Sequence, residues 1–320
     1  MSCKSNQTAV IQNNEKYGLI NRSGEIIVSP EYDYIIKSRS NNFFMVKKDE
    51  KYGFVNKKGE IIIPIIYDDA SPFYEGLAAV QRGEKYGFID SKGRVQIPFK
   101  YDNVFLGFSK GLADVTVNDS CGYINKRGKV VIPLKHETCY PFQSEVALIH
   151  SFDDQNLLLI DKKGRTYKYD KNVVTNQKLW ATHNSYPKHF KTDKGRGSIS
   201  KKGDTIIPPL YSSVGNFQEK RSIVKRNGKW GFYNDKGKMV LKPTFEDLWH
   251  FTEGLSRFKL NGLYGYIDKK GEIVIDPNFE SAGEFRNGLA YIKLNGLYGY
   301  INRKGEIIIE PKFDKAWSFE

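Results

Sequence analysis

Short apolar runs and polar turn sequences alternate along the whole chain with a period of about 34 residues. One period, illustrated by residues 76–110, contains three apolar runs that polar segments separate. The runs are rich in aromatic and β-branched residues and are too short for helices, so each period predicts three β-strands. A fixed repeat of this length predicts a stacked or closed array of small supersecondary units.

Turn residues stand at the same place in every period. The turn before the third strand begins with Asp or Asn and ends with Gly, as in Asp90 to Gly93, which is typical of a type I turn. Asn-Gly pairs such as Asn261-Gly262 predict a hairpin between the first two strands. A proline such as Pro98 ends the third strand because it removes a backbone donor. The closing glycines are Gly24, Gly59, Gly93, Gly128, Gly164, Gly203, Gly237, Gly271 and Gly305.

After most of these prolines, an aromatic residue precedes an acid, as in Tyr67-Asp68, and a phenylalanine such as Phe73 follows. Because the acid recurs with the repeat, we expect it to accept backbone N–H groups in a turn, not to act in a single catalytic site. The recurring rings are expected to pack between neighbouring units, each of which is too small to bury its own apolar face.

The sequence therefore predicts an all-β fold: one domain over residues 1–320, with about nine three-stranded antiparallel meanders and a degenerate repeat region at 165–200. An open twisted solenoid or superhelix is favoured, because propeller units usually have four strands and about 40 to 50 residues. The alternative is a closed propeller-like ring, since residues 8–11 lack a lead-in and residues 317–320 lack a following strand. Such half-units also arise when an array is cut at an arbitrary phase, which is the interpretation favoured here.

The repeated motif is an aromatic-Gly pair, a turn ending in Gly, a Val/Ile-rich strand, Pro and an aromatic-acid pair. With Lys229-Trp230-Gly231 and its tyrosine form Lys85-Tyr86-Gly87, this motif resembles the bacterial WG-repeat (KWG-repeat) family over nearly the whole chain. The resemblance implies a β-repeat protein of cytoplasmic, envelope or secretion-associated settings. Some members resemble immunity proteins that neutralise toxins, and the resemblance supplies no catalytic residue.

Residues that could carry chemistry are scattered. The five histidines lack the spacing of zinc ligands, so we expect no metal, no cofactor and no enzymatic activity. His183 and His189 near Asp193 are interpreted as solvated loop residues, and Cys139 near His136 as ordinary residues of a degenerate repeat. The glycines recur at turn spacing, so no phosphate-binding loop is predicted.

The three cysteines form no disulfide framework. Cys121 replaces a Tyr or Trp of the other copies and is interpreted as a small buried hydrophobe, with a Cys121–Cys139 bridge as the less favoured alternative. No apolar stretch reaches 18 residues, so no transmembrane segment is predicted. The first residues do not form a signal peptide, which favours a cytoplasmic protein; the alternative is an envelope lipoprotein anchored through Cys3, if a leader is missing.

The net charge of +13 favours an acidic partner. So do the basic residues at the turn tips, which are the two positions between the first residue of each turn and its closing glycine. We expect a protein-binding repeat scaffold, with an immunity protein that neutralises an acidic bacterial toxin as the sharper hypothesis. The alternatives are an envelope or glycan-binding module and, less favoured, nucleic-acid binding through a basic edge. Lysine also suits exposed turns and protects strand edges without any function. The candidate contact residues are Lys57, Lys58, Lys126, Arg127, Lys162, Lys163, Lys201, Lys202, Trp180, His183 and His189.

Overall fold

The computed structural model describes residues 7–40, 42–152, 157–168 and 187–320, and every regular element within these ranges is a β-strand. The predicted all-β fold is therefore confirmed. Before residue 169 the strands are β1 (Thr8–Asn13), β2 (Lys16–Asn21), β3 (Ile26–Tyr32), β4 (Tyr34–Lys37), β5 (Phe43–Lys48), β6 (Lys51–Asn56), β7 (Ile61–Tyr67), β8 (Asp69–Ala70), β9 (Leu77–Arg82), β10 (Lys85–Asp90), β11 (Val95–Tyr101), β12 (Leu112–Val117), β13 (Ser120–Asn125), β14 (Val130–His136), β15 (Thr138–Cys139), β16 (Val146–His150), β17 (Leu157–Asp161) and β18 (Thr166–Lys168). After residue 186 they are β19 (Lys188–Thr192), β20 (Gly195–Ile199), β21 (Thr205–Tyr211), β22 (Ser213–Val214), β23 (Arg221–Arg226), β24 (Lys229–Asn234), β25 (Met239–Phe245), β26 (Asp247–Leu248), β27 (Leu255–Leu260), β28 (Leu263–Asp268), β29 (Ile273–Phe279), β30 (Ser281–Ala282), β31 (Leu289–Leu294), β32 (Leu297–Asn302), β33 (Ile307–Phe313) and β34 (Lys315–Ala316).

In the described residues these strands form nine antiparallel sheets. Seven sheets have four strands, while β12–β14 and β19–β21 form sheets of three. The fourth strand comes from the connection that leads into each repeat, and in most sheets it is only two residues long, as in β26. The three strands predicted for each repeat are present, and the short fourth strand of seven sheets is an addition to the predicted three-stranded meander.

The chain divides into two compact units. The first contains residues 1–30 and 184–320, and the second contains residues 31–183. The sheets of the first unit are β19–β21, β22–β25, β26–β29, β30–β33 and the sheet in which β34 joins β1–β3. The second unit contains β4–β7, β8–β11, β12–β14 and β15–β18.

The turns have the backbone conformations and hydrogen bonds that their residues predict. Asn261 and Gly262 both have positive φ, 51° and 82°, which is the backbone conformation of the predicted two-residue hairpin. At the other turn, the Asn302 side-chain oxygen accepts the backbone N–H groups of Lys304 (2.9 Å) and Glu306 (3.1 Å). The Gly305 N–H donates to the Asn302 carbonyl oxygen at 3.0 Å, which closes the turn. The recurring Asp or Asn is therefore a structural residue.

The acid after each aromatic residue also has a structural role. The Asp68 carboxylate accepts the Gly83 N–H at 2.7 Å, and the Asp102 carboxylate accepts the Asn118 N–H at 2.7 Å. In both cases the donor lies in the hairpin of the following sheet. The expectation that these acids accept backbone donors is confirmed, and the contact orients each hairpin relative to the preceding third strand.

The hydrophobic core lies between consecutive sheets of a unit. Phe73, in the connection before β9, is fully buried, and its ring centroid lies 4.8 Å from that of Phe54 in β6. In the first unit, Phe285 packs in the same way on Tyr266 at 4.7 Å. The core cluster around Phe73 also includes Ile89 of the next sheet. Recurring rings therefore pack between neighbours, as predicted, where each aromatic pair adds about 0.5–1.5 kcal/mol beyond its buried area.

The two terminal half-units form one sheet. Strand β34 pairs antiparallel with β1, with Ile11 opposite Ala316, and the Trp317 N–H donates to the Val10 carbonyl oxygen at 3.1 Å. The two half-units are complementary within this sheet, because β34 supplies the lead-in strand that the first repeat lacks.

Cys121 and Cys139 form a disulfide, with their Cα atoms 5.9 Å apart. The bond joins β13 to β15, so it links two consecutive sheets of the second unit. The equivalent pair in the preceding repeat is Tyr86 and Val104, which belong to one apolar cluster. Cys121 is buried, as expected, but the less favoured alternative of a Cys121–Cys139 bridge is the one that the structure shows, and the disulfide takes the place of the aromatic–aliphatic contact of the preceding repeat.

Candidate binding surfaces

The basic residues at the turn tips form two rows with different environments. The first row, directly after the turn's Asp, Asn or Ser, includes Lys126 and Lys269, whose ammonium groups lie 3.1 Å from Glu75 and 2.7 Å from Glu219. Lys162, another predicted contact, pairs with Glu145 at 3.4 Å. Two predicted binding residues of this row, Lys126 and Lys162, are therefore engaged within the protein itself.

The glutamates that hold the first row also connect neighbouring repeats. Glu75 accepts the Gly111 N–H at 3.1 Å, and Glu253 accepts the Gly288 N–H at 2.8 Å. Arg303 in turn donates to the Glu253 backbone carbonyl at 3.2 Å. Each such glutamate thus links a glycine one repeat later to a turn cation further along the chain. The first row consequently stabilises the array.

The second row precedes the turn glycine. Its basic side chains are all exposed, and the structure records no ion pair for any of them with another described residue. Their backbone N–H groups hold the turn, as that of Arg127 does by donating to the Asn125 side-chain oxygen at 3.0 Å. The row consists of Lys58, Lys92, Arg127, Lys163, Lys202, Lys236, Lys270 and Lys304.

Consecutive tips lie close together within a unit. A Cβ on Gly305 would lie 3.3 Å from the Ile275 side chain, and one on Gly128 would lie 3.3 Å from the Ile97 side chain. The turns at Gly128 and Gly305 therefore pack on the third strand of the preceding sheet, and that strand starts at the preceding tip; the turns at Gly164 and Gly203 lack this contact. This contact aligns the second-row charges of neighbouring sheets.

The other predicted contact residues are only partly described. Trp180 and His183 lie outside the described residues. Lys57 is partly buried, while Lys201 and His189 are exposed. The interpretation of His189 as a loop residue is wrong, since His189 lies in β19, where its Nε2 is 2.9 Å from the Asn216 side-chain oxygen. The assignment of Trp180, His183 and His189 as contact residues stays a prediction.

A cleft of about 380 Å³ opens in the first unit, and sequence reasoning missed it. Two tryptophans, Trp249 and Trp317, line it, and each is 40% exposed. The Arg257 guanidinium lies 4.5 Å from the Trp249 ring centroid, and Trp249 Nε1 donates to Glu284 at 2.5 Å. The cleft is completed by Arg286, Tyr291, Ser318 and Glu320. The sequence signal for this cleft is the presence of Trp249 and Trp317 at a position that the repeat motif does not specify.

A more apolar cavity of about 460 Å³ lies in the second unit. Phe105, 57% exposed, and Tyr140 line it with ring centroids 5.9 Å apart. The Phe105 N–H donates at 2.9 Å to Asp114, which is buried, and burial raises the pKa of that carboxyl to about 6. The protonation state of Asp114 therefore changes between mildly acidic and neutral pH.

Within the described ranges, no group of three or more His, Cys, Asp or Glu side chains is placed to hold a metal ion. Cys139 is in a disulfide, so it offers no thiolate for His136 to activate. Burial lowers the pKa of His136, which favours the neutral imidazole. The described part of the chain contains no helix of the length and apolarity that a membrane crossing requires.

Comparison with known families agrees with the repeat architecture. The family model described as WG containing repeat matches residues 17–52, 52–86, 86–121, 122–149, 197–230, 230–264, 264–298 and 298–320. These matches cover more than half of the sequence, and the chain belongs to this family. A search of curated proteins found no significant match.

Solved structures resemble the chain in fold. A crystal structure of a eukaryotic initiation factor is 10% identical with a TM-score of 0.50, over 98% of this chain and 97% of the other. Dihydro-heme d1 dehydrogenase NirN in complex with DHE is 9% identical with a TM-score of 0.41, over 100% and 76%. Hsv2 of Kluyveromyces lactis is 10% identical with a TM-score of 0.36, over 98% and 96%. At such identities the first likeness concerns fold alone, and the other two carry no functional argument.

Proposed function

We propose that this WG-repeat scaffold binds a protein with an acidic surface through the second row of turn-tip cations. The observation that carries the proposal is the separation of the two rows. First-row cations such as Lys126 and Lys269 are neutralised by glutamates, whereas the second row stays exposed without a recorded ion pair among the described residues. A row of unpaired charges costs self-repulsion, which an acidic partner relieves.

The physical effect of such a row is on recognition. Exposed charges at an interface mainly accelerate association and select the partner, and their contribution falls as salt screens them beyond about 8–10 Å. The net charge of +13 acts in the same direction. Binding is proposed without catalysis, because recurring charges form an extended surface instead of a single reaction centre.

A protein fits this row better than a nucleic acid does. Proteins that bind single strands combine basic residues with aromatic rings on which bases stack. The second row contains no aromatic residue, and the recurring rings of the motif, such as Phe73 and Phe285, are buried. Neutralisation of an acidic toxin is one specific case of the proposal, and it predicts a stoichiometric complex with one protein.

The test compares two variants of equal net charge. One carries Lys58→Gln, Arg127→Gln, Lys163→Gln and Lys202→Gln in the second row. The matched control carries Lys100→Gln, Lys135→Gln, Lys242→Gln and Lys312→Gln at exposed positions of third strands. Each protein is used for affinity capture from the source cell at low salt, followed by quantitative mass spectrometry and titration with the purified partner.

We expect wild type and the control to capture the same acidic protein in a stoichiometric complex, and the row variant to lose it. Equal capture by the row variant and the control contradicts a role for the row. Capture of no stoichiometric protein by wild type contradicts the proposal itself. Retention of a single-stranded oligonucleotide by wild type but not by the row variant assigns the row to nucleic acid instead.

A further inference from the structure

Three equivalent positions in successive repeats create the aromatic cleft of the first unit. Trp249, Gly283 and Trp317 are spaced 34 residues apart and each directly follows a two-residue strand. The middle repeat has no side chain at this position. Two exposed indole rings, Trp249 and Trp317, therefore line one cleft, and the repeat between them carries no side chain at this position.

The Tyr291 ring lines the cleft beside Gly283. A Cβ at Gly283 would lie 2.4 Å from the Tyr291 ring, so this ring occupies the space that a side chain at position 283 would need. Any larger residue there would have to displace Tyr291. The ring is partly buried and also contacts Tyr298, with centroids 6.1 Å apart. The cleft is thus lined by three aromatic rings.

Polar groups of both kinds border these rings. Arg257 is fixed by its contact with the Trp249 ring and by donating from Nη1 to the Ala282 carbonyl at 2.6 Å. Its Nε is buried and has no hydrogen-bond partner among the described residues. Glu284 lies between Trp249 Nε1, at 2.5 Å, and Arg286, at 3.4 Å. The cleft therefore presents aromatic faces together with oriented donors and acceptors.

We propose that this cleft binds a neutral saccharide. A sugar ring has an apolar face that stacks on indole or phenol rings, and each of its hydroxyl groups both donates and accepts hydrogen bonds. The charges lining the cleft balance, two arginines against two glutamates, so an uncharged ligand is preferred to an ion. The volume of about 380 Å³ lies at the lower end of the range for small-molecule sites, which limits the enclosed part to one or two rings.

The same contacts disfavour other ligands. A cation would have to approach beside Arg257, which already covers the Trp249 ring. A nucleotide would need a cation for its phosphate, but Arg286 is paired with Glu284, and Arg257 is hydrogen-bonded to a backbone carbonyl. A neutral ring with hydroxyl groups requires neither. This site is separate from the turn-tip rows, so it is tested independently of the proposed function.

The probes are the tetramer of N-acetylglucosamine, cellotetraose and maltotetraose, with adenosine monophosphate as a competitor. Each is titrated into the full chain by calorimetry, with tryptophan fluorescence as a second readout. The variants are Trp317→Ala, the conservative Trp317→Phe, and Phe105→Ala. Phe105 is a matched control, because it is an exposed aromatic residue at the equivalent position of a second-unit repeat. Thermal melts establish that each variant is folded.

We expect one tetrasaccharide to bind with a dissociation constant in the millimolar range or below. Trp317→Ala should weaken it at least about tenfold, Trp317→Phe should restore most of the affinity, and Phe105→Ala should leave it within about twofold. The proposal is overturned if none of the three sugars binds at millimolar concentration, or if Trp317→Ala binds as well as wild type. Tighter binding of adenosine monophosphate than of every sugar overturns the assignment to a saccharide.

Discussion

Asp114 should make the stability of the second unit depend on pH, and Asp114→Asn should remove that dependence. The side chain is 5% exposed, and one carboxylate oxygen accepts the Phe105 N–H at 2.9 Å while the other has no partner among the described residues. In two other repeats the corresponding positions, Ala79 and Ile223, are apolar. Burial therefore penalises the carboxylate, and it raises the pKa from 3.8 to about 6.

The direction of the effect follows from the linkage between protonation and folding. The folded state prefers the protonated carboxyl, so the stability associated with Asp114 is fully present below the unfolded pKa of 3.8 and is lost as pH rises through about 6. A difference of two pKa units corresponds to about 3 kcal/mol at neutral pH. The group is almost fully buried, so solvent screening does not reduce this magnitude.

The assay is denaturant unfolding of wild type and Asp114→Asn at pH 4 and pH 7. Asparagine retains the acceptor for Phe105 but cannot ionise, so differences in packing are the same at both pH values. We expect the free energy of unfolding of the variant, relative to wild type, to increase by about 2–3 kcal/mol from pH 4 to pH 7. A difference that stays constant across this range would refute the reasoning, as would a carboxyl pKa near 4 measured by NMR.

Three further predictions concern stability and are measured by denaturant unfolding. Replacing Cys121 and Cys139 by alanine should lower the free energy of unfolding by about 3 kcal/mol, because the bond closes a loop with a sequence separation of 18. An unfolding midpoint of wild type that does not change when reductant is added would contradict this. Gly231→Ala should cost at least about 3 kcal/mol, because its Cβ would lie 2.4 Å from a backbone oxygen of the third strand. At Gly228 a Cβ would meet open space, but φ is +77°, so Gly228→Ala should lower the free energy of unfolding by only about 1–2 kcal/mol. Equal losses of stability in Gly231→Ala and Gly228→Ala would argue against the steric explanation. Glu253→Ala should cost about 1–2 kcal/mol by leaving the Gly288 N–H without its carboxylate, and no loss would show that water replaces it.

Local features were predictable because short segments determine them. The Asn261-Gly262 hairpin and the turn closed by Gly305 need only a few residues with particular backbone preferences. The packing role of Phe73 and Phe285 followed from recurrence, since a ring that every repeat carries is a core residue. These predictions depend on interactions within one repeat or between neighbours of the same kind.

Features that depend on one particular pair of residues were not predictable from recurrence. Strand β26 is two residues long, too short to produce a periodic pattern. Pairing of Ile11 with Ala316 joins segments at opposite ends of the sequence, and the half-units alone do not decide it. The Cys121–Cys139 bond is not predictable from recurrence, because neither position carries cysteine in other repeats. Each outcome depends on the spatial placement of one residue pair.

The same distinction explains where recognition is expected in a protein of this kind. A residue required in every repeat, such as Asp68 or Phe73, is already engaged in holding its neighbours together. Positions outside the motif are free to differ, and the three equivalent positions with Trp, Gly and Trp place two indole rings and the Tyr291 ring around one cleft. At the turn tips, first-row cations such as Lys126 and Lys269 are bound by glutamates, while the second-row cations are exposed. Specific binding should therefore be lost through substitutions at non-motif positions that leave stability nearly unchanged, whereas motif substitutions should reduce both.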